Sequence, residues 1–183
     1  MNIKDATSPI IYESVYSSNF KKSEFFIFYD SLINSPKHLE TIRKNNFPGV
    51  FCLYPSFSLQ SIDFRQNPLF EIKGSFNYKE ELLKASILIT DYSSIFFDFS
   101  YIQRPVIYTQ FDYDNYRKIH YKKGYFDYLI DGFGPVCYDL ECSINEIIDG
   151  IQNCCKIKKK FLGESKNFFL VMITIIMIEL IML

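Results

Sequence analysis

The sequence predicts an α/β domain built on a parallel sheet with helices on both faces. Three observations predict it. Short apolar runs alternate with helix-length segments along most of the chain. The runs at 87–90 (ILIT) and 106–110 (VIYTQ) are apolar almost without interruption, as strands covered on both faces are. Turn-forming or helix-breaking residues (Phe47-Pro48-Gly49, Arg104-Pro105) separate the segments. With 183 residues, 48% hydrophobic, including 19 Phe and 14 Tyr, the chain has the apolar surface for one domain with a real core and is excluded from the disordered class. A net charge of −1 offers no electrostatic case for nucleic acid.

Residues 1–47 read as a lead-in segment with helices. Within it, 35–46 forms a helix, with Ser35 as its cap, Pro36 in the first turn, and Leu39 and Ile42 on one face. The domain proper then runs over 48–167. VFCLYP (50–55) is a buried strand closed by Pro55, and LFEIKG (69–74) is a second. Asn77 and Glu80 make a capping-box-like start for the helix 78–86. ILIT is the third strand. SSIFFDFSYIQ (93–103) has helical length and is apolar nearly all round, which calls for burial. VIYTQ is the fourth strand, 112–121 a short polar helix, and 124–139 a Gly- and aromatic-rich loop into a last short strand. Ser143 and Glu146 form a capping box for a helix over 144–161, with Ile144, Ile147, Ile148 and Ile151 at helical spacing.

A doubly wound sheet binds ligands at the carboxyl ends of its strands, where Asp91-Tyr92-Ser93-Ser94 falls. Ser93 and Ser94 open a helix whose first turn has unpaired N–H groups and partial positive charge, a setting for a phosphate or diphosphate. Asp91 orients a hydroxyl or base there, or caps the turn. The bland alternative is that Asp and Ser are ordinary caps, worth about 1 kcal/mol each, and no glycine-rich loop supports phosphate binding. Asp98 needs a partner, and Arg104 is the candidate. The five cysteines (Cys52, Cys137, Cys142, Cys154, Cys155) lack zinc spacing and read as free, mostly buried thiols of a reducing compartment. The N-terminal stretch lacks the apolar run of a secretory signal.

LITDYSSIFFDFSYIQRPVIY, then FDYDNYRKIHYKKGYFDY, then GFGPV resembles the CDP-glycerol glycerophosphotransferase family of bacterial teichoic acid synthesis, over about residues 48–152. The resemblance implies a Rossmann-like sheet, the C-terminal half of a GT-B glycosyltransferase architecture. It also implies transfer of glycerol phosphate from CDP-glycerol, or a related CDP-polyol, to a polyol-phosphate acceptor. Ser93 and Ser94 would meet the donor phosphates, with Asp91 and Tyr92 shaping the turn. The loop holding Gly132, Gly134 and Pro135 would lie near the nucleotide. No metal, cofactor or nucleic acid is expected, and the resemblance implies work at a membrane surface, on the cytoplasmic face of the plasma membrane. Two departures stand out. The family's His-Pro pair is here Tyr54-Pro55, and tyrosine, titrating near about 10, is a poor base at neutral pH. His38 and His120 lie outside that motif, and His120 reads as a surface residue. The chain also leaves no room for the N-terminal domain of a GT-B enzyme. A truncated transferase copy is therefore one reading; a non-catalytic CDP-polyol-binding remnant or partner subunit is the other.

The tail 168–183 (FFLVMITIIMIELIML) follows a basic run, Lys156 to Lys160. A membrane span takes about 17–25 residues, so this tail is at or below the limit, and it carries Glu179. It reads as a membrane-associated helix, as a core helix, or as coding sequence read out of frame from near Leu170–Val171. The last is preferred to the anchor, because family members carry a polar, Asp/Asn-rich helix after a Phe-Phe pair.

Overall fold

A computed structural model describes residues 15–119 and 126–181. Helices α1 (Glu24–Ile33) and α2 (Pro36–Asn45) lead into β1 (Gly49–Cys52), a 3-10 segment (Pro55–Asp63) and β2 (Phe70–Lys73). Then α3 (Tyr78–Lys84), β3 (Leu88–Thr90), α4 (Ile95–Tyr101), β4 (Val106–Thr109), α5 (Tyr113–Ile119), β5 (Val136–Cys137), α6 (Leu140–Gln152) and α7 (Lys159–Ile181) follow.

Every ladder between these strands is parallel, as the unbroken apolar runs require. β1 pairs with β2 in the register Gly49↔Phe70, and β3, β4 and β5 form a second sheet in that order. The predicted single sheet is thus two hydrogen-bonded pieces. One apolar core joins them: Phe51, Leu53, Phe70 and Ile72 from the first pack with Ile87, Ile89 and Ile107 from the second. Residues of the lead-in complete that core. Ser23 caps α1 by accepting the Phe26 amide at 3.1 Å, and Phe28, Tyr29, Leu32 and Ile33 of α1, with Ile42 of α2, are buried in it. Ile144, Ile147 and Ile151 of α6 bury their stripe in the same core, as their spacing predicts.

Several local expectations need correction. Ser35 stands at the cap of α2 but makes no side-chain cap bond. Ser143 does not cap α6, which starts earlier. Asp139 caps it, accepting the Cys142 amide at 2.7 Å, while Ser143 is buried and donates its hydroxyl to the Asp139 carbonyl. Glu146 is held instead by Lys158 at 2.9 Å. The helix expected over 144–161 stops at Gln152, because Cys154 and Cys155 adopt left-handed backbone (φ 56° and 52°), and α7 starts afresh at Lys159. Asn77 caps α3 as predicted, accepting the Lys79 amide and donating to Glu80.

The cysteines are not all free. Cys137 and Cys142 form a disulfide, with Cα atoms 5.4 Å apart, because the Asp139 cap folds the end of β5 onto the first turn of α6. Cys52, Cys154 and Cys155 are free, and burial pushes the Cys52 thiol up to about 11.

The first turns of α7 belong to the domain. The buried Ser165 donates its hydroxyl to the Ser100 carbonyl at 3.0 Å, and Phe168 packs its ring on Phe97 and Phe133. The tail from 168 is helical as far as Ile181. Among the described residues no helix is long and apolar enough to cross a membrane.

Candidate functional site

The β3–α4 turn forms because β3 is followed directly by Asp91, whose carboxylate accepts the Ser93 amide at 3.3 Å and folds the chain back on itself. Burial pushes the Asp91 carboxyl above the usual range, and the negative charge of Asp112 adds to that push; the backbone N–H groups of the turn oppose it. Ser93 and Ser94 are exposed. Ser94 occupies the cap position of α4 with helical backbone (φ −66°, ψ −5°) and makes no side-chain cap bond. Ser93 Oγ reaches the Ile95 amide only at 3.4 Å. The two hydroxyls are therefore not spent on capping in the way cap serines are.

Behind the turn lies a tied aromatic and acidic cluster. Tyr92 donates its hydroxyl to Asp112 at 3.0 Å and stacks on Tyr116 of α5, centroids 3.5 Å apart and rings 5° from parallel. Burial, then the Asp112 charge, push the Tyr92 phenol up, so it stays a donor. Tyr128 donates to the Tyr92 carbonyl at 3.3 Å. Below, the hydroxyls of Tyr29 and Thr109 lie 2.9 Å apart, and Thr109 also reaches the Thr90 carbonyl at 3.3 Å. The Tyr29 phenol is pushed up, first by burial and then by the Asp91 charge. The turn thus rests on β4, α5 and α1 together.

The predicted residues do not all converge there. Gly132 sits against the carbonyl of Tyr128, and Gly134 against the carbonyl of Val106, at the start of β4; a Cβ at either would collide with that backbone. Pro135 accepts the Tyr108 amide at 2.9 Å, in line with the β4–β5 ladder. These three residues build the amino-terminal side of the small sheet, and Tyr128 is their link to the turn. Tyr54 follows β1 and is 56% exposed at the head of the 3-10 segment. His38 is buried, its Nδ1 3.0 Å from the Leu32 carbonyl, and burial lowers its imidazole. His120 lies outside the described residues. Asp98 is partnered by Tyr78, which donates to it at 3.0 Å, and not by Arg104. Arg104 instead donates to the carbonyls of Leu82, Leu83 and Ala85 at the end of α3.

Sequence reasoning missed Asp112, Tyr116, Tyr128 and Tyr29. It also missed an open groove of about 760 Å³ beyond Asp112, whose lining includes Glu24, Gln110, Asp112, Tyr113, Tyr138 and Leu140. Ser93 and Ser94 are not part of that lining. Gln110 is buried beneath it, with an amide nitrogen that has no hydrogen-bond partner among the described residues. The one available signal was the density of Asp and Tyr after β4.

The fold has solved counterparts. A structure of the wall teichoic acid polymerase TagF superposes on 75% of this chain and 44% of its own, with a TM-score of 0.50 at 19% identity, a likeness of fold. The minor teichoic acid biosynthesis protein GgaB of Bacillus subtilis (strain 168) is 33% identical over 156 residues, 84% of this chain and 17% of that protein. The teichoic acid glycerol-phosphate primase of the same organism is 43% identical over 79 residues, 42% of this chain and 20% of that one. The chain thus spans about a fifth or less of these curated relatives. A family profile described as CDP-Glycerol:Poly(glycerophosphate) glycerophosphotransferase matches residues 12–171. On this match, with the α/β fold and the motif-bearing turn in place, the chain belongs to the CDP-glycerol:poly(glycerophosphate) glycerophosphotransferase family of teichoic acid synthesis.

Proposed function

We propose that the chain supplies the donor-binding half of a transferase that moves glycerol phosphate from CDP-glycerol, or a related CDP-polyol, to a polyol-phosphate acceptor. In that reaction an acceptor hydroxyl attacks the phosphorus that bears the glycerol, the bond to the bridging oxygen breaks, and CMP leaves. Such a step needs positioning and charge stabilisation more than covalent help from the protein. The observation that carries the reading is the pair Ser93 and Ser94: exposed hydroxyls at the start of α4, beyond the carboxyl end of a parallel strand, and not consumed by capping. The hydroxyls and the first amides of α4 would hold the diphosphate, while Asp91 and Tyr92 fix the turn. The Gly132–Pro135 loop supports the nucleotide side through Tyr128.

A second reading, donor binding without turnover, is favoured by Tyr54. It stands where the family resemblance expects the histidine of a His-Pro pair, and it is half exposed at the end of β1. The basic run before α7 and the apolar tail support action at the cytoplasmic face of a membrane; flotation with anionic vesicles tests that placement, and failure to float removes it. Calorimetry with CDP-glycerol, CDP and CMP tests the donor site. Binding of CDP species that is lost with Ser93→Ala/Ser94→Ala supports it, and unchanged affinity overturns it. Label transfer to a primed glycerol-phosphate acceptor separates enzyme from binder.

A further inference from the structure

The Cys137–Cys142 bond has a setting unlike that of a structural staple. It closes a ring of only five residues' separation, and so short a loop removes little freedom from the unfolded chain. The fold does not need it to bring the two sulfurs together. Cys137 is held by the β4 ladder, with the Gln110 amide donating to its carbonyl at 2.7 Å. Cys142 is held by the Asp139 cap, its own amide donating to that carboxylate at 2.7 Å. Both anchors are made by backbone amides, a carbonyl and a carboxylate, and neither uses a sulfur atom. The two sulfurs also differ in access. Cys137 is fully buried, while Cys142 is partly exposed in the first turn of α6, where the positive end of the helix favours a thiolate. The ring holds Tyr138 and Leu140, which line the groove, and Tyr138 packs edge-on against Tyr113 across it at 5.7 Å.

We infer that Cys137 and Cys142 are a reversible thiol–disulfide pair that sets the geometry of the groove wall. The inference stands independently of the donor-site reading. In reduction, a thiolate of an external dithiol attacks the accessible Cys142 sulfur and forms a mixed disulfide. The Cys137 sulfur leaves as thiolate and takes a proton. The second thiol of the reductant then releases Cys142, and the reductant leaves as its own disulfide. In oxidation a peroxide accepts the two electrons: the Cys142 thiolate attacks it to give a sulfenic acid and one hydroxide or water. The Cys137 thiol then displaces a second water and forms the sulfur–sulfur bond.

The test uses Cys154→Ser/Cys155→Ser, which removes the adjacent pair that follows α6 and leaves Cys52, Cys137 and Cys142. Thiols are counted under denaturing conditions after brief treatment of the folded protein with hydrogen peroxide or with dithiothreitol. The expected count is one after peroxide and three after dithiothreitol, over repeated cycles, with a Cys137–Cys142 cross-linked peptide by mass spectrometry. Adding Cys142→Ser should fix the count at two in both states, with circular dichroism confirming the fold. Three thiols persisting after peroxide, or a count that dithiothreitol does not restore, overturns reversibility. Amide exchange over 138–142 should quicken on reduction; equal exchange in both states overturns the control of the groove wall.

Discussion

The carboxyl ends of β1 and β3 are built differently. After β3, the Asp91–Ser94 turn is tied down on three sides: Tyr92 to Asp112 and Tyr116, Tyr128 to the Tyr92 carbonyl, and Thr109 between Tyr29 and Thr90. After β1, Tyr54 opens a 3-10 segment whose Phe57, Leu59 and Ile62 are all exposed, from 41% to 77%. A turn that is already organised costs little to assemble when a ligand arrives. The difference teaches that the β3 end is fixed by polar and stacking ties from three elements, and on the proposed function it predicts that donor holding and catalytic competence are separable.

Breaking the cradle gives the largest effect. Ser93→Ala/Ser94→Ala removes two charge-assisted donors to phosphate, about 1.5–3 kcal/mol each, so CDP affinity should fall by about a hundredfold or more with an unchanged melting temperature. The serines are exposed, so calorimetry and thermal melting separate the two readouts cleanly. A fall in melting temperature with unchanged affinity would reduce them to caps after all.

Loosening the cradle comes next. Tyr92→Phe keeps the stack on Tyr116 and removes the hydrogen bond to Asp112, which costs about 1.5–3 kcal/mol where the partner is charged. CDP affinity should drop several-fold, and amide exchange over 91–95 should quicken. If exchange is unaltered, the Tyr92–Asp112 bond does not hold the turn, and the contrast with the β1 end weakens.

The β1 end should respond in the opposite sense. Tyr54→Phe is expected to leave CDP affinity within about twofold, because an exposed side chain carries little of the preorganisation. Tyr54→His restores a group that titrates near neutrality and should raise label transfer to a primed acceptor without tightening CDP binding. A Tyr54→His variant with no gain would show that the alignment of this end with the family motif carries no function in this chain.

The parts that were legible in the sequence are those specified locally. The strands were readable because unbroken apolar runs between breakers have few other uses, and the Ile stripe of α6 because its spacing is helical. α1 was not, because EFFIFYDSLI is apolar almost all round and shows no clear face. The α6 cap was misplaced because Ser143 and Glu146 imitate a capping box, while Asp139, three residues before Cys142, performs the capping. Asp112 was passed over because its partner, Tyr92, is 20 residues away and nothing local announces the pairing. The Cys137–Cys142 bond depends on how a strand end meets a helix start, which spacing alone does not fix.

The smallest expected effect tests what the cradle costs the fold. Asp91 is pushed above the ordinary carboxylate range mainly by burial, so the folded chain binds its proton more tightly than the unfolded chain does. The stability it contributes is present below the unfolded pKa, about 3.9, and is lost as pH rises through the folded value. At neutral pH the buried charge is therefore a net cost. Asp91→Asn keeps an oxygen to accept the Ser93 amide and removes the charge. The variant should melt slightly higher than the parent at pH 7, and the gap should close as pH falls below about 4. Because the carboxylate shapes the turn without supplying a donor to phosphate, CDP affinity should hold or rise as a like charge is removed. A variant that melts lower at pH 7 and also loses CDP would show that the charge itself organises the turn, and that the contrast between the two strand ends lies in electrostatics and not in packing.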